Sequence, residues 1–179
     1  WWVFNQATRG VLGRLNALRA TLGLPALTAL ADLYSRADRL LYLTAEPFEY
    51  ARSWPENVRL VGPGIWEPEA DDFRGSPRDE RPLVLVTCST EFQNDGRLVE
   101  TALAALADEP VRVVATTASI DPTTFRAPSN ALVERFLPHG PLLREASCVV
   151  CHGGMGITQK ALAAGVPVCV VPFGRDQLE

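Results

Sequence analysis

Apolar positions at Val11, Leu12, Leu15, Leu18 and Leu22 recur at the spacing of one helix face, and Gly23 followed by Pro25 supplies a stop. A shorter helix is predicted over Leu27 to Tyr34. Two short apolar runs follow, Arg39 to Thr44 and Val58 to Val61, each of strand length and closed by Pro47 and by Gly62-Pro63-Gly64. Beyond residue 80 the pattern changes to strand, helix, strand. Leu83-Val-Leu-Val86 is apolar throughout, as a strand buried on both faces must be. Leu98, Val99, Ala102, Leu103 and Leu106 mark a helix face, with Asn94 or Asp95 as N-cap and Pro110 past its end. Further strands are predicted at Val111–Ala115, Ala131–Phe136, Cys148–Cys151 and Val166–Val171. Helices are predicted at Leu142–Glu145 and Met155–Ala164, the latter closed by Gly165. This alternation predicts a doubly wound α/β domain. Ligands of such sheets sit outside the carboxyl ends of the strands, which singles out the loops after Val86, Phe136, Cys151 and Val171.

Between these two parts, residues 65–80 alternate Pro68, Pro77 and Pro82 just beyond with Glu69, Asp71, Asp72, Asp79 and Glu80, a linker composition. The predicted organisation is therefore 1–64, a linker 65–80, and 81–179. The chain opens at Trp1 and stops at Glu179 just past an apolar run, which predicts a piece of a longer protein.

With 47% apolar residues and a formal charge of -4, the 179-residue chain is globular rather than disordered. A sequence pI near 5.3 without any Lys/Arg run excludes a basic nucleic-acid-binding surface. No apolar stretch approaches the roughly 20 residues of a membrane helix. Cys88, Cys148, Cys151 and Cys169 all lie in apolar runs, the pattern of free buried thiols in a reducing cytoplasm. Cys148-x-x-Cys151 resembles half of a zinc site, but strand residues three apart point to opposite faces, so packing is the expected role and no metal is expected.

The loop His152-Gly-Gly-Met-Gly-Ile-Thr158 concentrates the chemistry. Gly153, Gly154 and Gly156 stand where a strand turns into a helix, allowing backbone N–H groups to approach an anion at the helix N-terminus. His152 adds a donor that can become cationic, and Thr158 a hydroxyl. Together they describe a diphosphate cradle; a tight βα turn with glycines for packing is the plainer alternative. Thr87-Cys-Ser-Thr90 stands where a nicotinamide enzyme would carry Gly-x-Gly-x-x-Gly, which argues against a dehydrogenase.

The run from His152 through Gln159-Lys-Ala-Leu-Ala-Ala-Gly-Val-Pro to Phe173-Gly-Arg-Asp-Gln177 resembles the donor-binding signature of nucleotide-sugar glycosyltransferases, above all the bacterial macrolide and antibiotic enzymes. The resemblance implies the GT-B fold: a Rossmann-like donor-binding domain with a parallel sheet at 81–179, and the tail of an N-terminal Rossmann-like acceptor domain at 1–64. It implies an inverting transfer from a UDP- or dTDP-sugar to a hydroxyl of a small natural product, with no metal cofactor. His152, catalytic through the leaving group, would hold the diphosphate with Gly153, Gly154, Gly156 and Thr158. Phe136 would stack on the base and Leu137 offer backbone hydrogen bonds, within Phe136-Leu-Pro-His139. Ser89 and Thr90 would lie near the β-phosphate, and Asp176 and Gln177 would bind sugar hydroxyls.

The residues themselves leave other roles open. Phe136 ends an apolar strand and could be core, and His139 could be a loop or N-cap residue. Ser89 and Thr90 could cap the following helix, and Asp176 could be a solvated charge. Two departures from the family pattern stand out. Lys160 replaces a glutamate that accepts hydrogen bonds from both ribose hydroxyls, a change that penalises a 2′-deoxyribose less. The catalytic base of the family, a His early in the N-terminal domain, is not in the chain, so a catalytically incompetent donor-binding fragment or a degenerate partner protein is the alternative function.

Overall fold

The computed structural model describes residues 8–46, 48–66, 79–91, 94–174 and Gln177. The chain divides into two compact units, Trp1–Gly62 and Pro63–Glu179. Most of the predicted 65–80 linker lies outside the described residues.

In the first unit, helix α1 (Arg9–Thr21) is followed by a single turn, α2 (Asp32–Ser35), and two short strands, β1 (Leu40–Tyr42) and β2 (Val58–Leu60). The strands pair in parallel, Leu40 opposite Val58. Helix α1 forms where its apolar spacing predicts, yet it has no buried residue, and Val11 and Leu18 are each 57% exposed. The helix expected from Leu27 is instead a turn until residue 32. Asn16 clamps the backbone of Leu27 through both its amide atoms, and the Asp32 carboxylate accepts the N–H groups of Thr28 and Ala29 and the Thr28 hydroxyl. Those side-chain partners satisfy backbone donors locally and so compete with an earlier helix start. They also hold the Asp32 carboxyl below its ordinary pKa, the Thr28 hydroxyl contributing most.

The second unit is a five-stranded parallel sheet. Its strands are β3 (Leu83–Thr87), β4 (Arg112–Thr116), β5 (Ala131–Glu134), β6 (Ala146–Cys151) and β7 (Val168–Val170), in the order β5-β4-β3-β6-β7. Helix α3 (Gly96–Leu106) joins β3 to β4, α4 (His139–Leu143) precedes β6, and α5 (Met155–Ala163) joins β6 to β7. The strand order is that of the Rossmann class, with its reversal between β3 and β6.

Alternating side chains of the central strands feed two separate cores. Val84, Val86, Val113 and Ala115 pack with Leu98, Val99 and Leu103 of α3 on one face. Leu83, Leu85, Val114, Val149 and Cys151 pack with Leu142, Leu143, Ile157 and Ala161 on the other. β3 and β4 are buried at all five positions, and each fully buried Val or Leu in them contributes about 1.5–3 kcal/mol. Cys151 lies in the second core, whereas Cys148 belongs to the opposite side of β6, as strand alternation requires. The charge of buried Arg112 is met by Asp79 at 3.7 Å and Glu145 at 3.6 Å.

Two predicted elements end early, with consequences for the site. β5 stops at Glu134, which leaves Arg135 and Phe136 in the loop beyond the sheet's carboxyl edge. β7 begins only at Val168, because Pro167 has no N–H to give; its carbonyl instead accepts from Val149 at 2.9 Å.

Candidate functional site

The strand-order reversal between β3 and β6 opens a cavity of about 300 Å³ at the carboxyl ends of the strands. Its walls come from the loops after β3, β4, β5 and β6: Cys88, Ser89 and Thr90; Ala118; Arg135 and Phe136; His152 and Gly154. His139, Gly156 and Lys160 complete it from α4 and α5. Among the described residues the lining carries two cationic side chains and no carboxylate.

The three glycines of the loop after β6 serve three different ends. Gly153 has φ +90, and a Cβ there would lie 2.8 Å from Val170 Cγ1, so this position turns the chain under β7. At Gly154 a Cβ would meet His152 Nε2 at 2.4 Å; the missing side chain leaves the seat on which the imidazole rests. Gly156, in the first turn of α5, faces open space with nothing within 4 Å of its Cβ position. Gly154 is the N-cap of α5 and offers no side-chain acceptor. The N–H groups of Met155, Gly156 and Ile157 therefore lie outside the helical ladder, with the positive end of the helix dipole behind them. Thr158 turns the other way: its hydroxyl donates to Gly154 C=O at 3.0 Å, beside the Cys151 thiol, and it does not line the cavity.

His152 is 7% exposed, with one edge to the cavity and Nδ1 buried without a hydrogen-bond partner. Behind it lies Asp95, whose Oδ2 is 4.0 Å from Nδ1. The sequence pattern predicts Asn94 or Asp95 as the N-cap of α3. Asp95 does occupy the N-cap position of α3 but makes no capping hydrogen bond. Asn94, at φ +59, turns the chain so that the Asp95 carboxylate instead accepts from Ser89 N–H at 2.6 Å. No signal in the sequence separates these two uses of an acid ahead of a helix.

Ser89 and Thr90 do not cap α3. Ser89 is buried, and its hydroxyl accepts from Glu91 N–H at 3.2 Å, while Thr90 is exposed at the cavity wall. Phe136 is 69% exposed at the rim, so the ring is no core residue. Leu137 packs its side chain against the core that holds α4 and α5. The first residue of α4 is His139, whose N-cap is Pro138; its Nε2 is 3.1 Å from Thr116 Oγ1. Thr116 Oγ1 also donates to Thr87 Oγ1 at 2.9 Å. Thr87 and Thr116, on adjacent strands, thus tie His139 to the cavity floor. Ala118, at φ +51, lines the cavity in a conformation L residues avoid, held by its N–H to Arg135 C=O at 2.8 Å.

Gln177 approaches Gly153, and its Oε1 accepts from the N–H groups of Phe173 and Gly174 at 2.8 and 3.2 Å. Asp176 lies outside the described residues. All four cysteines are free. Burial pushes the Cys88 thiol up to about 12, aided by the Asp95 charge. Among the described residues no group of three or more His, Cys, Asp or Glu is placed to hold a metal ion, and no helix is long and apolar enough to cross a membrane.

Residues 99–178, which carry most of α3, then β6, the glycine turn and α5, match the family model of the C-terminal domain of erythromycin biosynthesis protein CIII-like proteins. That stretch is similar to the C-terminal domain of those proteins. The chain is 38% identical over 175 residues to 4′-demethylrebeccamycin synthase of Lentzea aerocolonigenes, covering 92% of this chain and 40% of that protein. It is 35% identical over 167 residues to a PGL/p-HBAD biosynthesis glycosyltransferase of Mycobacterium tuberculosis, covering 91% and 38%. Among solved structures, the calicheamicin glycosyltransferase CalG4 superposes with a TM-score of 0.67 at 25% identity, covering 90% of this chain and 40% of that one. The fold is accordingly of GT-B type. The chain spans about two fifths of the length of these relatives.

Proposed function

We propose that the cavity binds the diphosphate of a UDP- or dTDP-sugar, and that the protein acts in inverting transfer of a hexosyl or deoxyhexosyl group to a hydroxyl of a small natural product. The observation that carries this reading is the turn after β6: first-turn amides of α5, an open Gly156 and the His152 edge converge on one cavity without a carboxylate in its described lining. The relatives, named for glycosyl transfer or for natural-product synthesis, support it.

In this reaction an acceptor hydroxyl gives its proton to a general base, for which no residue of this chain is assigned, and attacks the anomeric carbon, while the bond from that carbon to the β-phosphate oxygen breaks. The departing diphosphate takes the electron pair. His152, the amides of Met155 and Gly156, and Lys160 meet that charge, so the reading calls on no metal ion. Ser89 and Thr90 serve the β-phosphate side, Phe136 the base, Leu137 the base edge through its backbone, and His139 the nucleoside. Asp176 and Gln177 are assigned to the sugar hydroxyls. Residues 1–64 are assigned to the acceptor side. Four free thiols suit a reducing compartment, and we place the protein in the cytoplasm.

The direct test is a thermal-shift panel of UDP, dTDP, GDP and ADP. A nucleoside diphosphate at a hundredfold over its Kd stabilises by about 2.7 kcal/mol, several degrees for a chain of this size. UDP or dTDP is expected to give that shift; no shift with any of the four overturns the assignment. Mass spectrometry of candidate sugars with the intact gene product then separates transfer from binding alone. Binding without transfer leaves the alternative, a nucleotide-binding partner protein.

Two variants test the nucleoside end. Because Phe136 is mostly exposed, Phe136→Ala leaves Tm within a degree or two but weakens UDP or dTDP binding about tenfold, the loss of one base stack. Unchanged affinity removes the ring from the site. Lys160, one turn after Gly156 on the same face of α5, lines the cavity as a donor without acceptor capacity. Lys160→Glu restores an acceptor for ribose hydroxyls and shifts preference from dTDP toward UDP by about three- to tenfold, one hydrogen bond's worth. A preference that does not move rejects this role.

A further inference from the structure

Asp95 has no part in the reaction outlined above, although it is the most deeply buried acid near the cavity, at 1% exposure. Its carboxylate receives one amide, from Ser89, and faces the buried, unpartnered Nδ1 of His152 at 4.0 Å. A buried carboxylate needs further donors or a counter-charge, and a buried ring nitrogen needs a partner. Each group supplies what the other lacks, and about 1 Å of approach makes the hydrogen bond. The Ser89 amide comes from the loop after β3 and His152 from the loop after β6, so Asp95 also joins the two sides of the cavity.

We propose that Asp95 is a positioning residue for the donor site: it fixes neutral His152 as the Nδ1–H tautomer and is the counter-charge that lets the ring take up a proton when a diphosphate binds. This inference rests on the donor-site reading. The opposite tautomer would point an Nδ1 lone pair at a carboxylate in a dry site. With Nδ1–H on Asp95, neutral Nε2 carries only a lone pair toward the cavity, which an anion does not welcome. A proton from solvent then attaches to Nε2, which donates to a phosphate oxygen while Nδ1–H stays on Asp95. The other charged or titratable groups on the cavity are Cys88 after β3, Arg135 after β5, His139 on α4 and Lys160 on α5. Cys88 stays a thiol. Arg135 and Lys160 oppose a further positive charge, so the uptake requires the diphosphate.

Nitrogen-15 NMR of the ligand-free chain is expected to show neutral His152 with its proton on Nδ1. In a folded Asp95→Asn that tautomer preference should be lost. Calorimetry with UDP and with dTDP in two buffers of different ionisation enthalpy should show net proton uptake in the wild type. Asp95→Asn should lose that uptake and bind about tenfold more weakly. A wild-type His152 protonated on Nε2 in its neutral form overturns the proposal, even where Asp95→Asn does not fold. An unchanged tautomer or equal uptake in a folded Asp95→Asn overturns it too. Absence of heat with both diphosphates from the wild type is a different failure: it removes the donor site and the uptake step, while the NMR result still decides whether Asp95 holds the ring.

Discussion

His152→Ala in the intact gene product is expected to lower the turnover of glycosyl transfer by about 10²-fold or more, the loss typical of one preorganised donor to a developing anion. Nucleoside diphosphate affinity should fall far less, by about tenfold, the worth of one charge-assisted hydrogen bond. The split follows from where charge appears. In the bound sugar donor the β-phosphate carries a glycosyl group; as the anomeric bond breaks, that oxygen gains a full negative charge. An interaction that strengthens along this path lowers the barrier instead of merely tightening the ground state. The ring is preorganised for the task, seated over Gly154 with only 7% exposure and therefore little freedom to lose. Steady-state kinetics against calorimetry of the product diphosphate checks the expectation. Equal losses in turnover and affinity would reduce His152 to a binding residue.

The legible part of this site is the part made by backbone. A strand-to-helix turn with glycines at 153, 154 and 156 announces close approach whatever surrounds it, and the switch-point rule then places it beside the loop after β3. Phe136 was open to two readings, because an aromatic at a strand's end looks the same whether the strand continues or stops. β5 ends two residues earlier, at Glu134, and that decides its exposure. Asp95 and the Thr87–Thr116 pair were not legible. They act through neighbours distant in sequence, Ser89 and His152 for the one, His139 for the other, and a polar residue at a strand end or helix start has ordinary local uses. The apolar face of α1 shows the converse: periodicity announces the helix but not whether its own unit covers that face. Thr158 is a middle case, its first-turn placement visible and its bond back to Gly154 a consequence of the helical rotamer.

Gly156→Ala separates space kept for the protein from space kept for a ligand. A methyl at this position meets no atom of the chain within 4 Å, and replacing a helical Gly with Ala stabilises by up to about 1 kcal/mol. The variant should therefore fold with an unchanged or raised Tm. Its Cβ nevertheless enters the cavity beside the first-turn amides, so UDP or dTDP affinity should drop tenfold or more. Gly153→Ala is the control, and its outcome should be reversed in kind. At φ +90, with a Cβ 2.8 Å from Val170 Cγ1, alanine adds a left-handed backbone cost of about 1–2 kcal/mol to an overpacking cost of about 1–3 kcal/mol, so Tm should fall by many degrees. Thermal melts and calorimetry on the two variants read both quantities. If Gly156→Ala binds the diphosphates as well as the wild type, the open space at the start of α5 is not a phosphate cradle, and the turn's glycines serve the chain alone.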